Sequence, residues 1–177
     1  RDQHLMISKG AFDTVIDCCS FVKTASGTLP LDKKLQVKLR AFYSQQGQQG
    51  FRILGLASRY VAAKPHFDHD DETRMTFEGF LLFFDPLKDG IANTLKEFFK
   101  LGITVKIISG DNRYVAGHVA EAVGLDATLI LTGKQLDETR ADALRPLVEK
   151  TDIFAEIDPQ QKERIVLALK KDGNSVA

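Results

Sequence analysis

Apolar residues recur at helical spacing in some stretches and as short continuous or alternating runs in others, and these two periods are the primary signals for helices and strands. In the first half, Leu5 to Ser8 predicts a strand that enters a turn at Lys9-Gly10. Phe12, Val15, Ile16 and Cys19 fall at i, i+3, i+4 and i+7, which places them on one face of a short helix. Ser26-Gly27 and Pro30 predict a loop. Asp32 can cap a second helix with Leu35, Leu39 and Phe42 on one stripe and a stop at Gly47. Phe51 to Ala57 alternates weakly and predicts a strand. The polar, acidic stretch from His66 to Glu72 has no periodicity and reads as an exposed loop. Its histidines and acids follow no metal-ligand spacing, so it is taken as solvated.

The second half has a stricter rhythm. Phe80 to Phe84 is a continuous apolar run, read as a strand buried on both faces of a parallel sheet. A helix follows from Asp89 to Lys100, with Ile91, Leu95, Phe98 and Phe99 inward and a stop at Gly102. Ile103 to Ile108 predicts the next strand, Ser109-Gly110-Asp111 a turn, and Asn112 the cap of a helix running to Gly124. Leu129 to Leu131 is a short strand, and Gln135 to Lys150 a helix bent near Pro146. Ile153 to Ala155 is a strand, and Asp158-Pro159 caps and opens a helix that Gly173 ends, with Ser175 to Ala177 starting one more strand. Strands alternating with helices of this length imply βαβ units, hence an α/β protein with a parallel, doubly wound sheet. Residues 1–84 and 85–177 are expected to form separate lobes, because the loose patterning gives way there to strict alternation.

Composition removes several function classes. Lys and Arg together number 24, as do Asp and Glu, so the formal net charge is zero. A chain without excess basic charge lacks the electrostatic footprint of a nucleic-acid binder. At 44% hydrophobic and 27% charged it can bury a core. No apolar run is long enough to span a bilayer, and the start lacks the apolar centre of a signal peptide. The two cysteines, Cys18 and Cys19, are adjacent, which gives neither a long staple nor a zinc motif and suits a reducing compartment. The expectation is a soluble cytosolic segment with no metal ligands of its own.

In doubly wound sheets, ligands sit beyond the carboxyl ends of the strands, where Asp85, Ser109-Gly110-Asp111 and Asp158 are placed. The Ser109-Gly110-Asp111 turn offers a hydroxyl, a glycine amide and a carboxylate, and the next helix aims its amides at the same space. That combination suits phosphate. It is equally the composition of a plain capping turn. Lys162, in the first turn of the last helix, either reaches the same pocket or stands exposed beside Glu163 and Arg164. Its position works against the helix dipole by about 0.3–1 kcal/mol, which a phosphate partner outweighs at about 4 kcal/mol for a near-surface charge pair.

Lys9-Gly10-Ala11, Phe51-Arg52, Asp85-Pro86-Leu87-Lys88, Ser109-Gly110-Asp111-Asn112 and Asp158-Pro159-Gln160-Gln161-Lys162 occur in that order over essentially the whole chain. Together they resemble the cytoplasmic head of P-type cation-transporting ATPases. The resemblance implies the C-terminal part of an α+β nucleotide-binding domain over residues 1–84, followed over residues 85–177 by a partial phosphorylation domain of the haloacid dehalogenase-like fold. It implies that Lys9 lines the adenine and phosphate pocket, that Arg52 contacts the nucleotide phosphates, and that Asp85 and Lys88 belong to a hinge motif near the ribose. It implies that Ser109 and Gly110 hold the transferred phosphoryl group with Asp111 beside them, and that Lys162 neutralises its charge. ATP with Mg2+ would be the substrate, and the partners would be the rest of a pump chain, its membrane helices and actuator domain. The whole protein would then lie in the cell membrane, with this segment on the cytoplasmic side. Phe77-Glu78-Gly79 and Ile130-Leu131-Thr132-Gly133 are most similar to the magnesium-transporting class.

The sequence also departs from the family pattern. Ser109 stands in place of the commoner Thr, and Lys88 in place of Arg, which forfeits bidentate recognition. Glu156 stands where Arg is usual and inverts the local charge. The Asp-Lys-Thr-Gly-Thr motif bearing the phosphorylated aspartate, and the Gly-Asp-Gly-x-Asn-Asp motif that holds magnesium, occur nowhere in the 177 residues. The alternative to a pump segment is a free-standing haloacid dehalogenase-like phosphatase or a non-catalytic nucleotide-binding module.

Overall fold

The computed structural model describes residues 3–171 and 175–176, and the chain folds as two compact units. One holds the residues up to Gln46 and Phe51–Phe84; the other holds Gly47–Gly50 and everything from Asp85 on.

The first unit is built on β1 (Gln3–Ala11), α1 (Phe12–Asp17), β2 (Cys19–Thr24), β3 (Gly27–Pro30), α2 (Lys33–Gln48), β4 (Phe51–Ala62) and β5 (Met75–Phe84). The five strands form one sheet in the order β1-β4-β5-β2-β3. All neighbours are antiparallel except β2 and β5. Alternation along β4 buries Ile53, Gly55 and Ala57 on one face. There α1 and α2 cover Phe12, Val15, Ile16, Val22, Ala57, Met75 and Phe77. Phe12 is the hub, with ring centroids 5.0 Å from Tyr43 and 5.1 Å from Phe80. Gly55 lets α1 come close, since a Cβ there would press on Val15 at 3.1 Å.

Several local expectations give way to pairing. No turn forms at Lys9-Gly10: the strand runs on to Ala11, with Lys9 opposite Leu56 and Gly10 opposite Gly55. A nine-residue ladder outweighs the turn preference of one Lys-Gly pair. Cys19 leaves the helix and opens β2, which makes a hairpin with β3 where a loop was expected. Phe80 to Phe84 is not a doubly buried parallel strand. It is the end of β5, antiparallel to β4, with Phe83 and Phe84 50% and 60% exposed. The adjacent thiols donate to helix carbonyls, Cys18 to Thr14 and Cys19 to Val15, and burial pushes the Cys19 thiol up to about 12.

The second unit comprises α3 (Ile91–Lys100), β6 (Ile107–Ile108), α4 (Arg113–Ala122), β7 (Ile130–Thr132), α5 (Gly133–Glu138), α6 (Ala141–Lys150), β8 (Ile153–Ala155) and α7 (Pro159–Lys171). Its three strands are parallel in the order β6-β8-β7. The central strand alternates between two cores. Phe154 packs with Leu131, Leu136, Val148 and Ile165, whereas Ile153 and Ala155 pack with Ala116 and Ala120 of α4. Helices therefore lie on both faces, as a continuous apolar strand requires.

Here the corrections concern extent. Only Ile107 and Ile108 of the Ile103–Ile108 run are strand, and Ile103 is 47% exposed. In α3 Leu95 is buried, but Phe98 and Phe99 are about two-fifths exposed rather than inward. The break between Gln135 and Lys150 falls at Thr139-Arg140, both extended, and not at Pro146, which sits on the exposed side of α6. Ser175 and Val176 form no strand, and Gly173 and Ala177 lie outside the described residues.

Candidate functional site

In the second unit the loops that leave β6 and β8 close on each other. The Ser109 amide donates to Phe154 O at 2.9 Å, the Ile157 amide to Ser109 O at 3.1 Å, and the Glu156 amide to Asp111 O at 2.8 Å. Inside the turn, Ser109 Oγ donates to Asp111 Oδ2 and accepts from the Asp111 amide, both at 3.0 Å. Gly110 is exposed at the tip, where a Cβ would meet Ile157 O at an ordinary contact distance of 3.5 Å. The Gly110 amide takes part in no hydrogen bond among the described residues.

The helix that follows offers less to an anion than its sequence suggests. Asn112, in extended geometry, accepts from the amides of Tyr114 and Val115 at 3.0 Å each. Glu156 Oε1 accepts from the Arg113 amide at 3.3 Å and from Arg113 Nε at 3.5 Å. The first amides of α4 are thus capped by the chain's own side chains. This also accounts for Glu156, whose sequence position had no rationale. It stands at φ 59 just beyond β8, binds both loops, and neutralises Arg113. A non-glycine residue in that conformation carries local strain and persists only when its surroundings hold it.

Asp158 and Gln161 form a reciprocal cap at the start of α7: Asp158 Oδ1 accepts from the Gln161 amide at 2.7 Å, and Gln161 Oε1 from the Asp158 amide at 3.0 Å. The buried Gln161 side chain also donates to Gly133 O and to Asp137, which in turn accepts from Arg164. Sequence reasoning quoted Gly133 and Gln161 only as members of family motifs and gave neither a role. The local signal for the role of Gln161 was the Asp-Pro-Gln-Gln spacing of a capping box. A Cβ at Gly133 would fall well inside contact distance of Glu156 O and Gln161 Oε1. Gly133→Ala should therefore destabilise the second unit by about 1–3 kcal/mol, the range for overpacking, read as a lower urea midpoint at unchanged m-value.

Lys162 is exposed in the first turn of α7, its amide bonded to Asp158 O at 2.9 Å. It starts from the end of the sheet that carries Ser109, Gly110 and Asp111. Asp85 and Lys88 are exposed in the segment between β5 and α3, where the Ile91 amide donates to Lys88 O.

In the first unit, register decides the geometry. Lys9 lies opposite Leu56. Arg52, Leu54 and Leu56 alternate with the buried Ile53, Gly55 and Ala57. Lys9 and Arg52 therefore project from the face of the sheet that the helices do not cover, about 13 Å apart along the strand at ~3.3 Å per residue. Both are exposed. Among the described residues no group of three His, Cys, Asp or Glu is placed to hold a metal ion, and no helix is long and apolar enough to cross a membrane.

Residues 1–90 match the family described as "P-type ATPase, cytoplasmic domain N". The chain belongs to the P-type ATPases. Across 176 residues, 99% of the chain, it is 35% identical to "Magnesium-transporting ATPase, P-type 1" of Escherichia coli K12. A protein of the same description from Salmonella typhimurium is 34% identical over 174 residues, 98% of the chain. A calcium-transporting ATPase of Listeria monocytogenes is 28% identical over 180 residues, covering the whole chain. The chain spans about a fifth of the length of these P-type relatives, 19 to 20% of each.

Proposed function

We propose that this chain supplies nucleotide and phosphoryl contacts to a P-type pump that couples ATP hydrolysis, through an aspartyl-phosphate, to cation transport across the cell membrane. In this reading the first unit is the C-terminal part of the nucleotide-binding domain, and the second is a haloacid dehalogenase-like phosphorylation domain, in part. The segment works on the cytoplasmic side, and the rest of the pump chain is its partner. Magnesium is the proposed cargo, because the relatives named above at 34 and 35% identity are described as magnesium-transporting. Those descriptions favour a pump over a free-standing phosphatase.

The observation that carries the reading is the shared face of Lys9 and Arg52. An ammonium and a guanidinium separated by two apolar residues on an uncovered sheet suit a ligand with a polyphosphate and a flat apolar base. The guanidinium forks onto phosphate oxygens, and the lysine meets them as a point charge. In the second unit, Ser109, the Gly110 amide and Lys162 are the groups proposed to hold a transferred phosphoryl. Positioning and preorganised positive charge do most of the work in that chemistry. Asp85 and Lys88 are proposed for the ribose side. Magnesium is proposed to enter as the ATP complex.

Titration of the chain with MgATP, followed by amide NMR, tests this. Binding should be weak, about millimolar or roughly −4 kcal/mol, with shifts centred on Lys9, Gly10 and Arg52 that Lys9→Ala diminishes. Shifts confined to Ser109–Asp111, or indifferent to that substitution, would remove Lys9 from the nucleotide site.

A further inference from the structure

At the other end of β4 from Arg52 the sheet opens. The ladder with β5 ends at Ser58 opposite Thr76, yet β4 runs on to Ala62, paired there only with β1. On the β5 side a cleft of about 470 Å³ lies between the last residues of β4, the start of β5 and Phe21 of β2. Its charged lining is entirely basic, Arg59 and Arg74, with Tyr60 and Thr76 adding hydroxyls. The nearby Asp71 carboxylate is already held by Lys64.

Arg59 is fixed in one orientation, because its Nη2 donates to Asp71 O at 2.9 Å. Its Nε is buried and has no acceptor. A buried cationic N–H without a partner is unfavourable until an acceptor arrives. Arg74 stands at φ 52, a conformation that arginine rarely adopts. The turn before it (Thr73 amide to Asp71 O, 2.8 Å) and the first bond of β5 (Met75 amide to Cys18 O, 3.0 Å) hold it there. Backbone strain of this kind collects where a side chain is aimed at a ligand.

We infer that this cleft binds a phosphate monoester, with Arg59 and Arg74 gripping the phosphate and Phe21 and Tyr60 beside the group it carries. Two guanidinium forks and two hydroxyls offer more donors than the two oxygens of a carboxylate can accept, and a charge of +2 matches a dianion. The site is separate from the face that carries Lys9 and Arg52. Arg59 lies seven residues along β4 from Arg52 and three from Leu56, the register partner of Lys9, about 23 and 10 Å at ~3.3 Å per residue, and has the other parity of that strand, so the two sites are told apart by which residues shift and by Lys9→Ala.

Titration of the chain with inorganic phosphate, phenyl phosphate and acetate, read by the arginine Nε–H and amide signals, tests it. Phenyl phosphate should bind at least as well as phosphate, and acetate far more weakly, with the largest shifts at Arg59 Nε, Arg74 and Thr76. Arg74→Gly relieves the backbone strain and so keeps the fold, yet should weaken phenyl phosphate binding roughly tenfold. Arg59→Lys, which keeps the charge and loses the fork, should do the same. Equal binding of acetate, shifts located at Lys9 and Arg52 instead, or unchanged affinity in a folded Arg74→Gly chain would overturn the proposal.

Discussion

Mixed with labelled MgATP and quenched in acid, the 177-residue chain should carry no phosphate. Formation of an aspartyl-phosphate requires an activated carboxylate nucleophile, and the Asp-Lys-Thr-Gly-Thr motif is absent from the sequence. The carboxylates at the carboxyl end of the parallel sheet are otherwise engaged. Asp111 accepts from the Ser109 hydroxyl, and Asp158 caps α7 through the Gln161 amide at 2.7 Å. Neither is placed as a free nucleophile. The expected outcome is acid-stable label at background, whatever the ATP concentration. Stoichiometric label on a peptide containing Asp111 or Asp158 would show that the chain holds a nucleophile of its own and would set aside its proposed role as a supporting part of a phosphoryl site.

The largest stability effect should come from Phe154→Ala. Phe154 is the middle residue of the central strand β8, fully buried, with Ile108 and Leu131 as its register partners on either side. It packs toward α5, α6 and α7 with Leu136, Val148 and Ile165, each of which is itself without exposure. Removing the ring takes away its burial and leaves a cavity that backbone-paired neighbours cannot close, so a loss of about 3–5 kcal/mol is expected. Phe99→Ala, on the 42% exposed face of α3, is the control and should cost less than about 1 kcal/mol. Urea unfolding of both variants separates them. Equal losses would mean that the second core is not organised around β8.

The elements that were legible in the sequence are those whose signals are local. Asn112 and Asp158 announce α4 and α7 because a short polar side chain before an apolar stripe satisfies amides within three residues of itself, as both are seen to do. Asp32 does the same for α2, accepting from the Leu35 amide at 2.7 Å. Ile153 to Ala155 reads as a buried strand because all three residues are apolar, and a parallel strand between two helical layers leaves no face for anything else. The Ser-Gly-Asp turn likewise carries its hydroxyl and glycine amide on its face.

What failed were the features set by distant partners. The Lys9-Gly10 pair has turn composition, but its backbone groups are claimed by Leu56 and Gly55, some 45 positions away, so the strand continues and Lys9 becomes a sheet residue. Phe80 to Phe84 has the composition of a buried strand. Its exposure depends on which neighbour it meets, and that neighbour is the antiparallel β4 with one uncovered face. Glu156 shows the same limit within the candidate site, since its partner Arg113 lies 43 positions earlier and only the closing of two loops brings them together.

By itself, then, the sequence determined the α/β class of this protein, the helix caps and the central strand of the parallel sheet, because each depends on chemistry within a few positions. Tertiary structure alone decided that Lys9 and Arg52 share an uncovered sheet face, that the amides of α4 are taken by Asn112 and Glu156, and that Arg59 keeps a buried N–H without an acceptor. Those outcomes follow from register and from loop closure. Both depend on the free energy of many long-range contacts formed together, which no window along the chain contains.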